Sequence, residues 1–219
     1  MFTPIASRYD RLNDVLSFGL QRCWKAHLVA RSLALRPSAS IWLDLATGTG
    51  DLAKRARNFR RSLSVLGVDP CRAMLEVARS RSSQVDWRLG AAEALPIPDS
   101  SVEILSCAFG VRNFAHRERA YEEWRRVLAP GGLVAILEIH PVPSGWRYLP
   151  LRFYWKRIMP RLGQALADGH AYRYLSDSSR SFLSVGELGA EVSSRGFRLL
   201  ESHSHFAGGM VSSLFFERQ

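Results

Sequence analysis

The chain has 219 residues, 47% of them apolar, enough for one sizeable core, and its 30 lysines and arginines exceed its 20 acidic residues to give a net charge of +10. No apolar run reaches the ~20 residues of a membrane span, and Met1-Phe2-Thr3-Pro4 lacks the basic-then-apolar layout of a signal peptide, so a single domain in the cytoplasm is expected. Cys23, Cys71 and Cys107 form no close pair and no metal-ligand spacing, which argues against disulfides and against a metal site.

In chain order, the pattern predicts a helical portion around Asn13–Leu35 within an N-terminal cap over residues 1–38. Strands follow near Ser40–Ala46, Ser64–Asp69, Val85–Leu89, Val102–Ala108 and Leu133–Ile139. Helices near Asp51–Arg61, Arg72–Ser82 and His116–Leu128 alternate with them, and Ala129-Pro130-Gly131-Gly132 is expected to stop the last helix and turn the chain into the next strand. After Pro141 the regularity breaks, and residues 141–183 are expected to form a helical substrate cover. A helix near Ser184–Arg195, ended by Gly196, and strands near Phe197–His203 and Val211–Glu217 complete the chain. Alternating strand and helix predict an α/β fold: a Rossmann-like, doubly wound, seven-stranded, mostly parallel sheet in one domain over 1–219.

Only Lys25, Lys54 and Lys156 are lysines, and the arginines are spread along the chain, which reads as a solvated surface and not as a nucleic-acid stripe. Arg147, Arg152, Lys156, Arg157 and Arg161 are denser and interleave with Trp146, Tyr148, Leu149, Phe153, Tyr154 and Trp155. That stretch reads either as an interfacial helix or as a core helix with snorkelling arginines.

The chemistry lies at the carboxyl ends of the predicted strands. Asp44-Leu45-Ala46-Thr47-Gly48-Thr49-Gly50 closes the apolar run Ile41-Trp42-Leu43 and opens a helix, and Gly48 and Gly50 let backbone approach a ligand. Extended to Asp51-Leu52-Ala53, the stretch also fits the dinucleotide fingerprint, with Asp69 19 residues beyond Gly50 to meet a ribose. NAD and S-adenosylmethionine both fit that spacing. Asp44 separates them, since a carboxylate there suits a ligand with a free amino group and repels a pyrophosphate. Small residues after the third strand, Gly90-Ala91-Ala92, would admit an adenine beside Met74 or Leu95, and Arg112 and Asn113 follow the fourth strand where the reacting group would lie.

These residues carry a resemblance. Tyr9-Asp10-Arg11-Leu12-Asn13-Asp14-Val15-Leu16-Ser17-Phe18-Gly19 with Trp24-Lys25, Asp44 to Leu52, Ala92-Glu93-Ala94-Leu95-Pro96-Ile97-Pro98-Asp99, Phe109-Gly110-Val111-Arg112-Asn113, Arg126 to Gly132 with Leu137-Glu138, and Tyr172-Arg173-Tyr174-Leu175 resemble the ubiquinone/menaquinone biosynthesis C-methyltransferases, a branch of the class I S-adenosylmethionine-dependent methyltransferases. Gln21, Ala91, Ala108 and His140 depart from the family pattern. The resemblance implies methyl transfer from S-adenosylmethionine, leaving S-adenosylhomocysteine, to a ring carbon of a reduced polyprenylated quinol: demethylmenaquinol to menaquinol, or a related benzoquinol. It implies a cofactor set of Asp44, Ala46, Thr47, Gly48, Thr49, Gly50, Asp69, Met74, Ala91, Ala92 and Ala108, and a substrate set of Tyr9, Asn13, Phe109, Tyr172 and Tyr174. In this reading Arg112 stabilises the phenolate, Asn113 orients the ring or a water, and His140 accepts the phenolic proton. A lipophilic substrate implies contact with anionic lipid at the inner face of the cell membrane, with the stretch around Trp146 to Arg161 as the candidate surface. A homodimer is compatible with this reading and no nucleic-acid partner is expected. A soluble phenolic substrate is the alternative for the same fold.

Overall fold

The computed structural model describes residues 13–14, 17–143, 145–153, 157 and 182–219. Seven strands form one sheet: β1 (Ile41–Leu45), β2 (Ser64–Asp69), β3 (Asp86–Leu89), β4 (Val102–Ala108), β5 (Leu128–Ile139), β6 (Phe197–Phe206) and β7 (Val211–Arg218). Their order is β3-β2-β1-β4-β5-β7-β6. The first five run parallel, while β7 is antiparallel to both of its neighbours. The sheet order reverses at β1, between β2 and β4, which opens a crevice beyond the carboxyl ends of these strands.

The faces follow from the two-residue period of a strand. Leu43, Leu45, Leu105, Val134, Ile136, Leu214 and Phe216 point to one face and pack against Tyr121 and Trp124 of α4 (Arg117–Val127) and Leu188 and Val192 of α6 (Val185–Ser193). Trp42, Ile104, Leu133, Ala135 and Phe215 point to the other. There they meet Leu28, Val29 and Leu33 of α1 (Leu20–Leu35), Ala53 and Ala56 of α2 (Asp51–Phe59), and Leu75 and Ala78 of α3 (Arg72–Arg81). Both faces are covered, which is why β1 and β5 read as apolar runs and not as alternation. A capping box starts α6: Ser184 Oγ accepts from Glu187 N at 3.3 Å, and Glu187 Oε2 accepts from Ser184 N at 2.8 Å.

Two local expectations are corrected. The N-terminal helical portion is not continuous: Phe18 (φ +51°) and Gly19 (φ +75°) take left-handed backbone, and α1 starts only at Leu20. The segment 129–132 does not stand outside the sheet. It is a bulge within β5, which pairs Leu128 with Val102 and Leu133 with Ile104, while Gly131 (φ +70°) absorbs the extra residues. A short α5 (Leu149–Phe153) follows a 3₁₀ turn at Trp146–Tyr148; most of the expected cover over 141–183 lies outside the described residues.

Candidate active site

The loop from β1 to α2 is built around one buried carboxylate. Asp44 Oδ2 accepts from Thr47 Oγ1 at 2.6 Å and from Ala53 N at 3.2 Å, and Asp44 Oδ1 accepts from Ser106 Oγ of β4 at 2.8 Å. Ser106 is itself anchored, accepting from Trp42 Nε1 at 2.8 Å. Burial pushes the Asp44 carboxyl up to about 6, against the pull of Thr47 and Ser106, so it is mostly ionised at neutral pH. Asp69, at the end of β2, ties the neighbouring loops: Oδ2 accepts from Gly48 N and Oδ1 from Cys71 N, each at 2.8 Å. Burial raises its pKa, and the two backbone donors oppose the shift.

These groups border a cavity of about 390 Å³. From the sequence-predicted cofactor set, Asp44, Ala46, Thr47, Gly48, Thr49, Asp69, Met74, Ala91, Ala92 and Ala108 line it, joined by Asn13, Phe109 and Asn113 from the substrate and catalytic sets. Two of its walls are strained. Ala46 (φ +52°) and Phe109 (φ +58°) are non-glycine residues in left-handed backbone, a cost of order 1–3 kcal/mol each that the surrounding hydrogen bonds must hold. Phe109 N donates to Leu137 O at 2.7 Å, and the next residue, Gly110, has no room for a side chain, since a Cβ would sit 2.7 Å from Cys107 Sγ and 2.8 Å from Ala46 Cβ. The chain then makes a 3₁₀ turn at Val111–Asn113, with Asn113 Nδ2 donating to Phe109 O at 3.3 Å.

Three expected site residues, Gly50, Arg112 and His140, are placed differently. Gly50 does not line the cavity: its φ is +80°, and a Cβ would fall 2.3 Å from the Trp87 ring of β3, so its freedom serves packing. Gly50→Ala is therefore expected to cost several kcal/mol in urea unfolding, from strain and overlap together; a loss under 1 kcal/mol would mean that Trp87 moves aside freely. Gly48 shares the left-handed backbone (φ +57°) but lines the cavity as expected: its N–H is taken by Asp69, a Cβ there would meet only open space, and its Cα is what a ligand meets. Arg112 turns away from the cavity wall into an ion pair with Glu138 of β5, the side chains being 4% and 0% exposed. Glu138 also accepts from Arg112 N at 3.3 Å and Ile139 N at 2.9 Å. His140 lies outside the lining too, with Nδ1 2.8 Å from Leu183 O and Nε2 2.7 Å from Ser212 Oγ. A carbonyl can only accept, so Nδ1 carries the proton and Nε2 accepts from the Ser212 hydroxyl, while burial lowers the ring's pKa and favours this neutral form. Tyr9, Tyr172 and Tyr174 lie outside the described residues.

Lys25, Asp51, Cys71, Glu93 and Phe114 also line the cavity, although composition and spacing gave them no role. For three of them the sequence signal was their place in the family motifs: Lys25 beside Trp24, Asp51 within Asp44 to Leu52, and Glu93 after Ala92. The donor set fits a nucleoside bearing an amino-acid tail: acidic Asp69, a small-residue wall at Ala91 and Ala92 beside Met74, and opposite charges at Asp44 and Lys25. A pyrophosphate would face the Asp44 carboxylate in the wall, which weighs against a dinucleotide.

Comparison with known proteins agrees. The model of the ubiE/COQ5 methyltransferase family matches residues 1–215. The demethylmenaquinone methyltransferase of Thermus thermophilus is 42% identical over 202 residues, covering 90% of this chain and 91% of the relative. The ubiquinone/menaquinone biosynthesis C-methyltransferase of Rubrivivax gelatinosus is 37% identical over 205 residues, covering 93% and 80%. Among solved structures, a SAM-dependent methyltransferase from Thermotoga maritima superposes with a TM-score of 0.65 at 20% identity, covering 100% of this chain and 98% of its own, which establishes the shared fold. The carboxylate-anchored loop, the crevice at the reversal of strand order and a family match over nearly the whole length lead to one conclusion: the chain is a methyltransferase and belongs to the ubiE/COQ5 methyltransferase family.

Proposed function

We propose that the chain methylates a ring carbon of a reduced, polyprenylated quinone precursor, with demethylmenaquinol as the leading substrate and a related benzoquinol as its close variant. The observation that carries this is the cavity itself, where Asp44 and Asp69 stand with Phe109, Asn113 and Phe114 in a chain so similar to a demethylmenaquinone methyltransferase. Bound S-adenosylmethionine supplies an electrophilic methyl group on a sulfonium. The chain's own contribution is to hold the nucleoside through Asp69, Gly48, Met74, Ala91 and Ala92, to hold the amino group at Asp44, and to keep the ring in line with the methyl group.

A hydroquinone that has lost one phenolic proton carries negative charge on its ortho carbon, whereas the quinone is electron-poor. Reduction is therefore required. Asn113 is the residue of the 3₁₀ turn proposed to orient the ring or a water that takes the proton. Arg112 acts through Glu138, which grips both its guanidinium and its backbone N–H and so fixes the turn that carries Asn113. His140 acts as a brace, joining the end of β5 to Ser212 of β7 and to Leu183. Mass spectrometry of mixtures with S-adenosylmethionine tests the assignment. Demethylmenaquinol is expected to gain one methylene, and the oxidised quinone and unprenylated soluble phenols are not; comparable turnover of the soluble phenols would shift the substrate to a soluble metabolite.

The same reading places the chain at the inner face of the membrane that holds the quinol. No helix among the described residues is long and apolar enough to cross a membrane. Trp146, Leu149 and Phe153 are 80%, 57% and 62% exposed, next to Arg147 and Arg152, and this combination supports peripheral contact with anionic lipid. Vesicles containing phosphatidylglycerol should carry the protein in flotation, and Trp146→Ser with Phe153→Ser should release most of it. Equal flotation of the variant would move the contact elsewhere.

A further inference from the structure

The buried stripe of α1 runs through Gln21, Trp24, Lys25, Leu28, Val29, Ser32 and Leu33, and one of its members is a cation. The Lys25 side chain is 8% exposed, and an ammonium so placed must be paired or be of use. Its Nζ donates to Asp51 Oδ2 at 3.0 Å, yet Asp51 also accepts from Arg55 Nε at 3.1 Å on its other oxygen. One carboxylate thus serves two cations, and the trio keeps a surplus positive charge. An ammonium has three N–H donors, and Asp51 accepts one of them. Lys25 and Asp51 both line the cavity, together with Asp44.

The wall therefore offers one cation with donors to spare and one anion. The methionine portion of S-adenosylmethionine carries the complementary pair, a carboxylate and an ammonium. We propose that Lys25 binds the carboxylate of that methionine portion, so that Lys25 and Asp44 together recognise the zwitterion. This rests on S-adenosylmethionine being the methyl donor, as above. It makes α1 part of the cofactor site and a determinant of specificity: nucleosides without the amino-acid tail are held only by the Asp69 side of the cavity. A purely structural Lys25, tethering α1 to α2 through Asp51, would make no such distinction.

Calorimetric titration of the full chain separates the two roles by pairing a change in the protein with a change in the ligand. S-adenosylhomocysteine, its carboxyl methyl ester and 5′-methylthioadenosine are each titrated into wild type and Lys25→Met. Wild type is expected to bind the ester at least tenfold more weakly than the free acid. Lys25→Met should lose at least tenfold for the free acid, less than twofold for methylthioadenosine, and should no longer distinguish acid from ester. Equal losses on all three ligands, or an undiminished preference for the acid, would overturn the proposal. If Lys25→Met does not fold, Lys25→Gln carries the same comparison, and a wild type indifferent to esterification overturns the proposal without any variant. Wild type that binds none of the three would overturn the cofactor assignment instead.

Discussion

Asp44→Asn is expected to weaken S-adenosylmethionine binding by about two orders of magnitude while leaving the protein at least as stable at neutral pH. An asparagine keeps the shape of the loop: its oxygen can accept from Thr47 and Ala53, and its amide can donate to Ser106, whose hydroxyl is free to rotate. What is lost is the charge opposite the ligand's ammonium, and removing one partner of a buried charge-assisted contact costs ~2–5 kcal/mol. Stability moves the other way. A carboxyl whose pKa rises from 3.8 in the unfolded chain to about 6 in the native state binds its proton more tightly when folded. Its burden on stability is absent below pH 4, grows as pH rises from 4 to 6, and reaches roughly 3 kcal/mol above that. The variant should therefore gain in chemical unfolding at pH 7.5 and lose that gain at pH 4. Wild-type affinity for the cofactor should fall in turn as pH drops below about 6. Unchanged affinity in the variant would remove Asp44 from ligand recognition and leave it as the organiser of the loop.

Glu138→Ala is expected to destabilise the fold by about 3–5 kcal/mol, a large share of the ~5–15 kcal/mol that holds a domain of this kind together. Both members of the Arg112–Glu138 pair are almost fully buried, so truncating the acid strands a guanidinium in an apolar setting and deprives Arg112 N and Ile139 N of their acceptor. Arg112 Nε already has no hydrogen-bond partner among the described residues, so this site holds no reserve of acceptors. Replacing both residues, as Arg112→Met with Glu138→Leu, should recover most of the stability because no charge is left behind. The double variant separates structure from chemistry. A folded but inactive protein would show that the pair positions the Val111–Asn113 turn for catalysis, and a folded, active one would reduce it to a structural contact.

The parts of the fold that were legible in the sequence were those that local chemistry decides. β1, β2, β4 and β5 are apolar runs because both faces of the sheet are covered, and Asp44 and Asp69 stood out because each ends such a run with a carboxylate. What was not legible depends on partners brought together by the fold. Arg112 reads as a catalytic cation until the pairing of Ala108 with Leu137 sets Glu138 beside it. His140 reads as a base until Ser212, far along the chain on β7, takes up its second nitrogen. Gly50 has the spacing of a ligand-facing glycine, and only the position of Trp87 reveals its other use. The 129–132 segment has the composition of a turn, yet pairing of its flanks with β4 draws it into the sheet as a bulge.

The order of the sheet also constrains how the protein comes to be made. β7 follows β6 in the chain but lies between β5 and β6, where it supplies Leu214, Phe215 and Phe216 to the core layers on both faces. A growing polypeptide can lay down the five parallel strands in turn, but β5 keeps an open apolar edge until the last strand has been synthesised and slotted in. Completion of the sheet is therefore a long-range event that waits for β7, and the nascent enzyme is most exposed to aggregation or to chaperone capture between the synthesis of β5 and that of β7.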